Sequence, residues 1–210
     1  MHKDRTYLLI FPTFWEVPSF FPPTLGEFSF RMTKAGKVFM WKCGMGKKRL
    51  EESFSQVVER VRPDCIVLSG FCGGVGENVQ PGDFFIAERI SYGEELLQVD
   101  NEEKEKWVKC LEKISFPYHT GILITRKWWT VHWKRVNKVM AVDMEGFWIG
   151  KLAKEKNIPF VVVKIISDRV REKGKRFYPF SFLFQISEFL KYRWKNLSRL
   201  NRLLEEFFYG

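Results

Sequence analysis

The chain has 210 residues, 45% of them apolar, which is enough for one sizeable core and favours a single domain over two. With 35 Lys and Arg against 25 Asp and Glu the formal net charge is +10, which suits an anionic partner such as nucleic acid or a membrane surface and bears on association rather than fold. No run approaches the ~18 apolar residues of a membrane span. The opening "MHKDRTYLLIFPTFW" has only a short apolar stretch, broken by Pro12 and without a small-residue cleavage site, so a cytoplasmic protein without a secretory signal is expected.

In chain order, short apolar runs read as strands at "TYLLIFP" (6–12), "KVFMWKCG" (37–44), "DCIVLSG" (64–70), "DFFIAERI" (83–90), "HTGILIT" (119–125) and "IPFVVVKIIS" (158–167). Between them, Leu50, Phe54, Val57, Val58 and Val61 in "KRLEESFSQVVERVR" (48–62) fall at helical spacing, as do the apolar residues of 101–114. A third helix is expected over 144–156, stopped by Asn157 and Pro159. Alternating strands and helices imply an α/β domain with a largely parallel sheet covered on both faces. In the basic segment 178–209, Ile186, Leu190, Trp194, Leu197, Leu200, Leu204 and Phe207 share one helix face; packing on the sheet is the commoner use of such a helix, a membrane-surface or partner-binding helix the rarer. From Arg169 onward there are ten Lys or Arg against four Glu, so a basic tail belongs in any account.

Cys43, Cys65, Cys72 and Cys110 form no CxxC pair, and the apolar or glycine-rich surroundings of the first three suggest buried free thiols in a reducing compartment. Neither they nor His2, His119 and His132 make a recognisable metal-ligand spacing, and no GxSxG nucleophile signature occurs. Gly46 and Lys47 are followed by Lys48, which excludes a Walker loop.

Candidate chemistry collects where strands end, since loops and free helix amides converge there in α/β sheets. Gly70, Gly73, Gly74 and Gly76 follow the strand 64–69 and would let backbone N–H groups approach a ligand, more than a plain tight turn requires. "VDMEG" (142–146) and "IISDRV" (165–170) each place acid at the end of an apolar run. Either acid alone reads most simply as a helix cap. Asp168 and Glu145 together would face one pocket, where partial burial raises one pKa and leaves the other acid ionised. Glu16 follows the first strand and, taken alone, reads equally as a solvent-exposed loop residue.

"CGMGK" (43–47), the glycine stretch with "PGD" (81–83), "AVDMEG" (141–146) and "PFVVVKIISD" (159–168) resemble, in order, the nucleoside phosphorylase superfamily. The resemblance implies a single-domain three-layer α/β/α sandwich over 1–210 around a mixed, largely parallel sheet. It also implies cleavage of a purine nucleoside at its N-glycosidic bond, with no cofactor. Asp168 would then protonate the departing purine near N7, Glu145 accept hydrogen bonds from ribose hydroxyls, and Met144 pack beneath the sugar. Glu16 would activate water, the backbone around Cys72 and Gly73 would line the nucleophile and ribose region, and Trp129, with Thr130 beside it, would stack on the base.

This sequence departs from the superfamily where Phe71 replaces a serine that touches the nucleophile and Leu68 a phosphate-binding arginine. Both favour water over inorganic phosphate as the second substrate, unless a cation such as Arg31 compensates. Arg169, next to the proton donor, is expected to point away from it. Members of the superfamily are homodimers or larger homo-oligomers. Beside this enzyme stand two alternatives: a nucleoside-binding protein without turnover, and a basic protein that meets membrane or nucleic acid through 169–210. The aromatic tail adds the expectation of a large apolar 5′ substituent bordered by the C-terminal helix.

Overall fold

In a computed structural model, residues 5–21, 28–44, 47–127, 132–133, 140–172 and 181–210 are described. The chain runs β1 (Arg5–Phe11), β2 (Phe28–Thr33), β3 (Gly36–Lys42), α1 (Lys47–Val61), β4 (Cys65–Leu68), β5 (Phe71–Val75), β6 (Phe84–Tyr92) and β7 (Glu95–Gln98). It continues α2 (Asn101–Lys113), β8 (Tyr118–Thr125), β9 (His132–Trp133), β10 (Met140–Asp143), α3 (Gly146–Glu155), β11 (Phe160–Arg169), β12 (Arg171–Glu172) and α4 (Ser181–Tyr209). A single 3-10 turn, Phe14–Glu16, follows β1.

Ten strands form one sheet in the order β2-β3-β1-β4-β11-β5-β10-β8-β6-β7. β1–β3, β1–β4, β4–β11, β5–β11, β8–β10 and β6–β8 are parallel; β2–β3, β5–β10, β6–β7 and β6–β11 are antiparallel. Because β11 pairs with β6 as well as β5, the strands β11, β5, β10, β8 and β6 close on themselves.

Strand residues alternate between two faces, and each face has its own core. On one, α1 and α3 contribute Leu50, Phe54, Phe147, Ile149 and Ala153 against Ile66, Leu68, Val162 and Ile166. On the other, α2 and α4 contribute Trp107, Leu111, Leu200, Leu203 and Phe208 against Val67, Ile86, Val161 and Ile165. The indole of Trp107 stacks flat on Phe207, 3.7 Å between centroids, tying α2 to α4. A strand buried on both faces needs apolar residues at nearly every position, which explains the unbroken runs in β1, β4 and β11. The result is the three-layer α/β/α arrangement around a mixed sheet.

Two expectations are corrected. The glycine stretch is a strand, β5, and not a turn: Gly70, at φ +116°, makes the step out of β4, and the chain then pairs with β11 on one side and β10 on the other. Leu190 and Trp194, assigned to the packed face of α4, are 57% and 72% exposed. At ~100° per residue they lie about 80° and about 120° round the helix from Leu200, whereas Phe189 and Asn196 fall within about 40° of it. The packed stripe therefore runs through Asn196, Leu200, Leu203, Leu204 and Phe208.

Candidate active site

The turn after β1, the strand β5, the corner between β10 and α3, and the end of β11 open onto one cavity of about 300 Å3. Glu16, Phe71, Cys72, Gly73, Met144, Glu145 and Asp168 all line it. Trp129 and Thr130 lie outside the described residues.

Glu16 is no surface residue: it is 8% exposed, held where the 3-10 turn folds back over β5. The Phe71 N–H donates to its Oε1 at 2.9 Å, and the Thr13 N–H and Oγ1 both donate to its Oε2 at 2.9 Å. Burial pushes its pKa above the ordinary glutamate value, while Lys164 and these donors pull it back. A side chain at residue 70 would place its Cβ 2.9 Å from Oε1, so glycine there serves both the positive φ and the fit of this carboxylate.

The β10–α3 corner separates two acids by function. Asp143 accepts from Thr125 Oγ1 at 2.8 Å and from the Gly146 N–H at 3.0 Å, so it satisfies the first amide of α3 from two residues before the N-cap, Glu145. Its Oδ2 also lies 3.0 Å from Nζ of Lys164. Glu145, two residues on, is 4% exposed, and its Oε1 is buried without a hydrogen-bond partner. Burial pushes its carboxyl pKa up to about 8; Lys164 opposes this, and Asp143 and Glu16 reinforce it. A buried, unpartnered carboxyl oxygen beside a cavity costs stability unless something donates to it, which points to a ligand.

Lys164 is a buried charge behind the cavity that sequence reasoning missed. It is fully buried in the middle of β11, 3.0 Å from Asp143 and 3.4 Å from the carbonyl of Phe71. Burial works against its charge, but Asp143, Glu145 and Glu16 outweigh that and raise its pKa above the ordinary lysine value. One ammonium thus pairs directly with Asp143 and offsets the charge of Glu145 and Glu16 at longer range.

Asp168 does not cap a helix, since β11 runs through it to Arg169. The β5–β11 register shifts between Ile166 and Asp168, so Ser167 is an extra residue on β11. Successive strand residues normally face opposite ways, yet Ser167 and Asp168 both line the cavity, as a bulge allows. Ser167 Oγ lies 2.5 Å from Asp168 Oδ1 and 3.2 Å from the Cys72 carbonyl. Gly73 pairs with Asp168, and a Cβ on it would press to 2.8 Å from Val170. Arg169 points away as expected, donating to the Glu77 carbonyl at 3.2 Å, although the reason is strand alternation and not helix geometry.

The other walls are apolar. Phe71 packs edge-on against Phe189 of α4 at 5.5 Å, and Trp15 and Pro12 also line the cavity. All four cysteines are free and buried, and burial pushes the Cys72 thiol well above its ordinary pKa, so it lines the cavity as an inert group. Arg31 packs over the ring of Phe20 and is not among the residues lining the cavity; Leu68 is fully buried in the core. Among the described residues no group of three or more His, Cys, Asp or Glu has the arrangement to hold a metal ion.

Residues 9–208 match the family model of the phosphorylase superfamily. The 5′-methylthioadenosine/S-adenosylhomocysteine nucleosidase of Desulfotalea psychrophila is 27% identical over 160 residues, 65% of this chain and 68% of that protein. The enzyme of the same name from Maridesulfovibrio salexigens is 22% identical, covering 71% and 76%. In three dimensions the chain resembles S-adenosylhomocysteine nucleosidase from Streptococcus pyogenes in complex with 5-methylthiotubericidin, with a TM-score of 0.79 at 17% identity over 97% of this chain and 96% of that one. The corresponding nucleosidase from Neisseria meningitidis, in complex with methylthio-immucillin-A, gives 0.77 at 14% identity over 97% and 98%. With nearly its whole length matched, the chain belongs to the phosphorylase superfamily.

Proposed function

We propose that this protein cleaves the N-glycosidic bond of a purine nucleoside, a 5′-modified adenosine, with water as the nucleophile. The observation that carries the reading is the meeting of Glu16, Glu145 and Asp168, delivered by separate segments, around one cavity. Breaking this bond leaves negative charge on the base and makes the ribose oxocarbenium-like, so both ends need compensation. Asp168, on the bulge, gives its proton to the purine near N7 as the C–N bond breaks. Glu145 accepts from ribose hydroxyls with the oxygen that has no protein partner, and these bonds tighten as the sugar becomes cationic. Met144 packs beneath the ring. Glu16, aimed by three donors, takes a proton from the attacking water, leaving free base and the free sugar.

The carboxylates on this side of the cavity, with Leu68 in the core and Arg31 on Phe20, would repel phosphate rather than bind it, which supports hydrolysis over phosphorolysis. The names of the relatives support the adenosine class. Phe71, Phe189 and Trp15 offer an apolar wall to a 5′ substituent. The reading includes no cofactor, a homodimer or larger homo-oligomer, and the cytoplasm as the place of action.

The test is incubation with a panel of purine nucleosides, with and without phosphate, and identification of the sugar: ribose supports the proposal and ribose 1-phosphate overturns the choice of nucleophile. Asp168→Asn should lower base release by about 10²–10⁴-fold with the fold retained, and undiminished turnover removes Asp168 from its role. Because Phe71 fills part of the cavity against Phe189, a nucleoside-binding protein without turnover is the second reading. Calorimetric affinity without release of any base would favour it.

A further inference from the structure

Among the described residues seven large apolar side chains are notably exposed, and four of them, Phe14, Trp15, Leu190 and Trp194, belong to the two segments that form the cavity's rim. Arg193 joins these segments. Its Nε donates to the Trp15 carbonyl at 3.2 Å, and its guanidinium lies 4.4 Å from the Trp15 ring and 4.8 Å from that of Trp194. Lys191 and Lys195 flank Leu190 and Trp194 on the same exposed face of α4. Residues 187–199 carry four cations, Lys191, Arg193, Lys195 and Arg199, against one acid, Glu188.

We propose that this rim, the Phe14–Trp15 turn with the Leu190–Trp194 stretch of α4, is a docking surface for an anionic lipid bilayer. Tryptophan and leucine between lysines are the composition of an interfacial helix: the rings and aliphatic chains enter the headgroup boundary and the ammonium groups meet lipid phosphates. No helix among the described residues is long and apolar enough to span a membrane, so the contact is peripheral. Charge decides between occupants. An isologous contact between two copies would set Lys191, Arg193 and Lys195 against the same cations, which an anionic surface instead attracts. Single-stranded nucleic acid would need free aromatic faces for stacking. Here Trp15 lies between Phe14, 4.1 Å away, and Arg193, whose guanidinium also occupies one face of Trp194.

The test is co-sedimentation of the full chain with vesicles of phosphatidylcholine alone and of equimolar phosphatidylcholine and phosphatidylglycerol, at low and high salt. Binding is expected only with the anionic vesicles, falling as salt rises. Each lysine at such a surface is worth a factor of about five, so the double variant Lys191→Glu/Lys195→Glu should bind on the order of 25-fold more weakly or worse. Leu190→Ser/Trp194→Ser should lose roughly tenfold or more through its apolar contacts. Both variants should keep the melting temperature and the nucleoside turnover of the parent in solution. The proposal is overturned by any of three results: absent or salt-insensitive binding, parental binding by both variants, or oligouridylate displacing the vesicles. It is also overturned if Leu190→Ser/Trp194→Ser converts a parental dimer to monomers, because the patch is then a contact between copies.

Discussion

The turn after β1 and the corner between β10 and α3 each bury a glutamate in the same cavity and treat it oppositely. Glu16 has both oxygens satisfied by backbone and hydroxyl donors, so its position is fixed before any ligand arrives. Glu145 has an oxygen with no donor and a carboxyl pushed up to about 8. The contrast teaches that preorganisation and incompleteness are different instruments. On the proposed reading, the group that acts on a small, mobile nucleophile is held rigid by the protein, and the group that grips the sugar is left for the sugar to complete.

The largest expected effect breaks the rigid partner. Glu16→Gln should lower kcat by about 10³-fold while leaving nucleoside affinity within a small factor, read from steady-state kinetics beside calorimetry. Glu145→Gln should lower kcat/KM by about 10²-fold, more in kcat than in KM, because its bonds strengthen as the sugar becomes cationic. Gly70→Ala attacks the fixed geometry indirectly: a β-carbon at φ +116° and 2.9 Å from Glu16 Oε1 should cost about 1–3 kcal/mol in urea denaturation and reduce turnover with it.

The smallest effect sharpens the comparison through protons. A nucleoside that donates hydrogen bonds to Glu145 favours its ionised form, so binding near neutrality should release up to about one proton, measured by calorimetry in buffers of different ionisation enthalpy. That release should vanish in Glu145→Gln. The linkage sign for stability is fixed by the same shift. Glu145 is protonated more readily in the folded than in the unfolded chain, so its burial costs nothing below about pH 4.5. The cost then grows as pH rises to about 8, and Glu145→Gln should flatten that decline in Tm.

Much of this was legible because function here sits on short strand ends with unusual composition. Acid after an unbroken apolar run marks Glu145 and Asp168, and clustered glycine marks the approach of β5 to its neighbours, though four glycines in a row of seven residues hid the strand itself. Lys164 was not read, although a lone cation inside "PFVVVKIIS" is a signal: it cannot be buried without carboxylates, and Asp143 and Glu145 are the acids it finds. Asp143, beside Glu145 in "VDMEG", turns out to bind the first amide of α3 and to neutralise Lys164. The exposed Leu190 and Trp194 escaped because spacing of four drifts round a helix, and over the length of α4 that drift turns residues from the core to the solvent. The extra residue in β11 is invisible in one chain's sequence, since a bulge exists only relative to the strand beside it.

That extra residue gives β11 one position at which its length can change without turning the residues beyond it. Deleting Ser167 would restore even pairing with β5 and leave Asp168 opposite Gly73 on the cavity face, since Ile166 before it faces the other core, but it would remove the hydroxyl that lies between Asp168 Oδ1 and the Cys72 carbonyl. Among descendants of this chain, a one-residue contraction at that point would therefore strip a hydroxyl from beside the acid without turning the acid away, so a shorter strand there is no sign of lost chemistry.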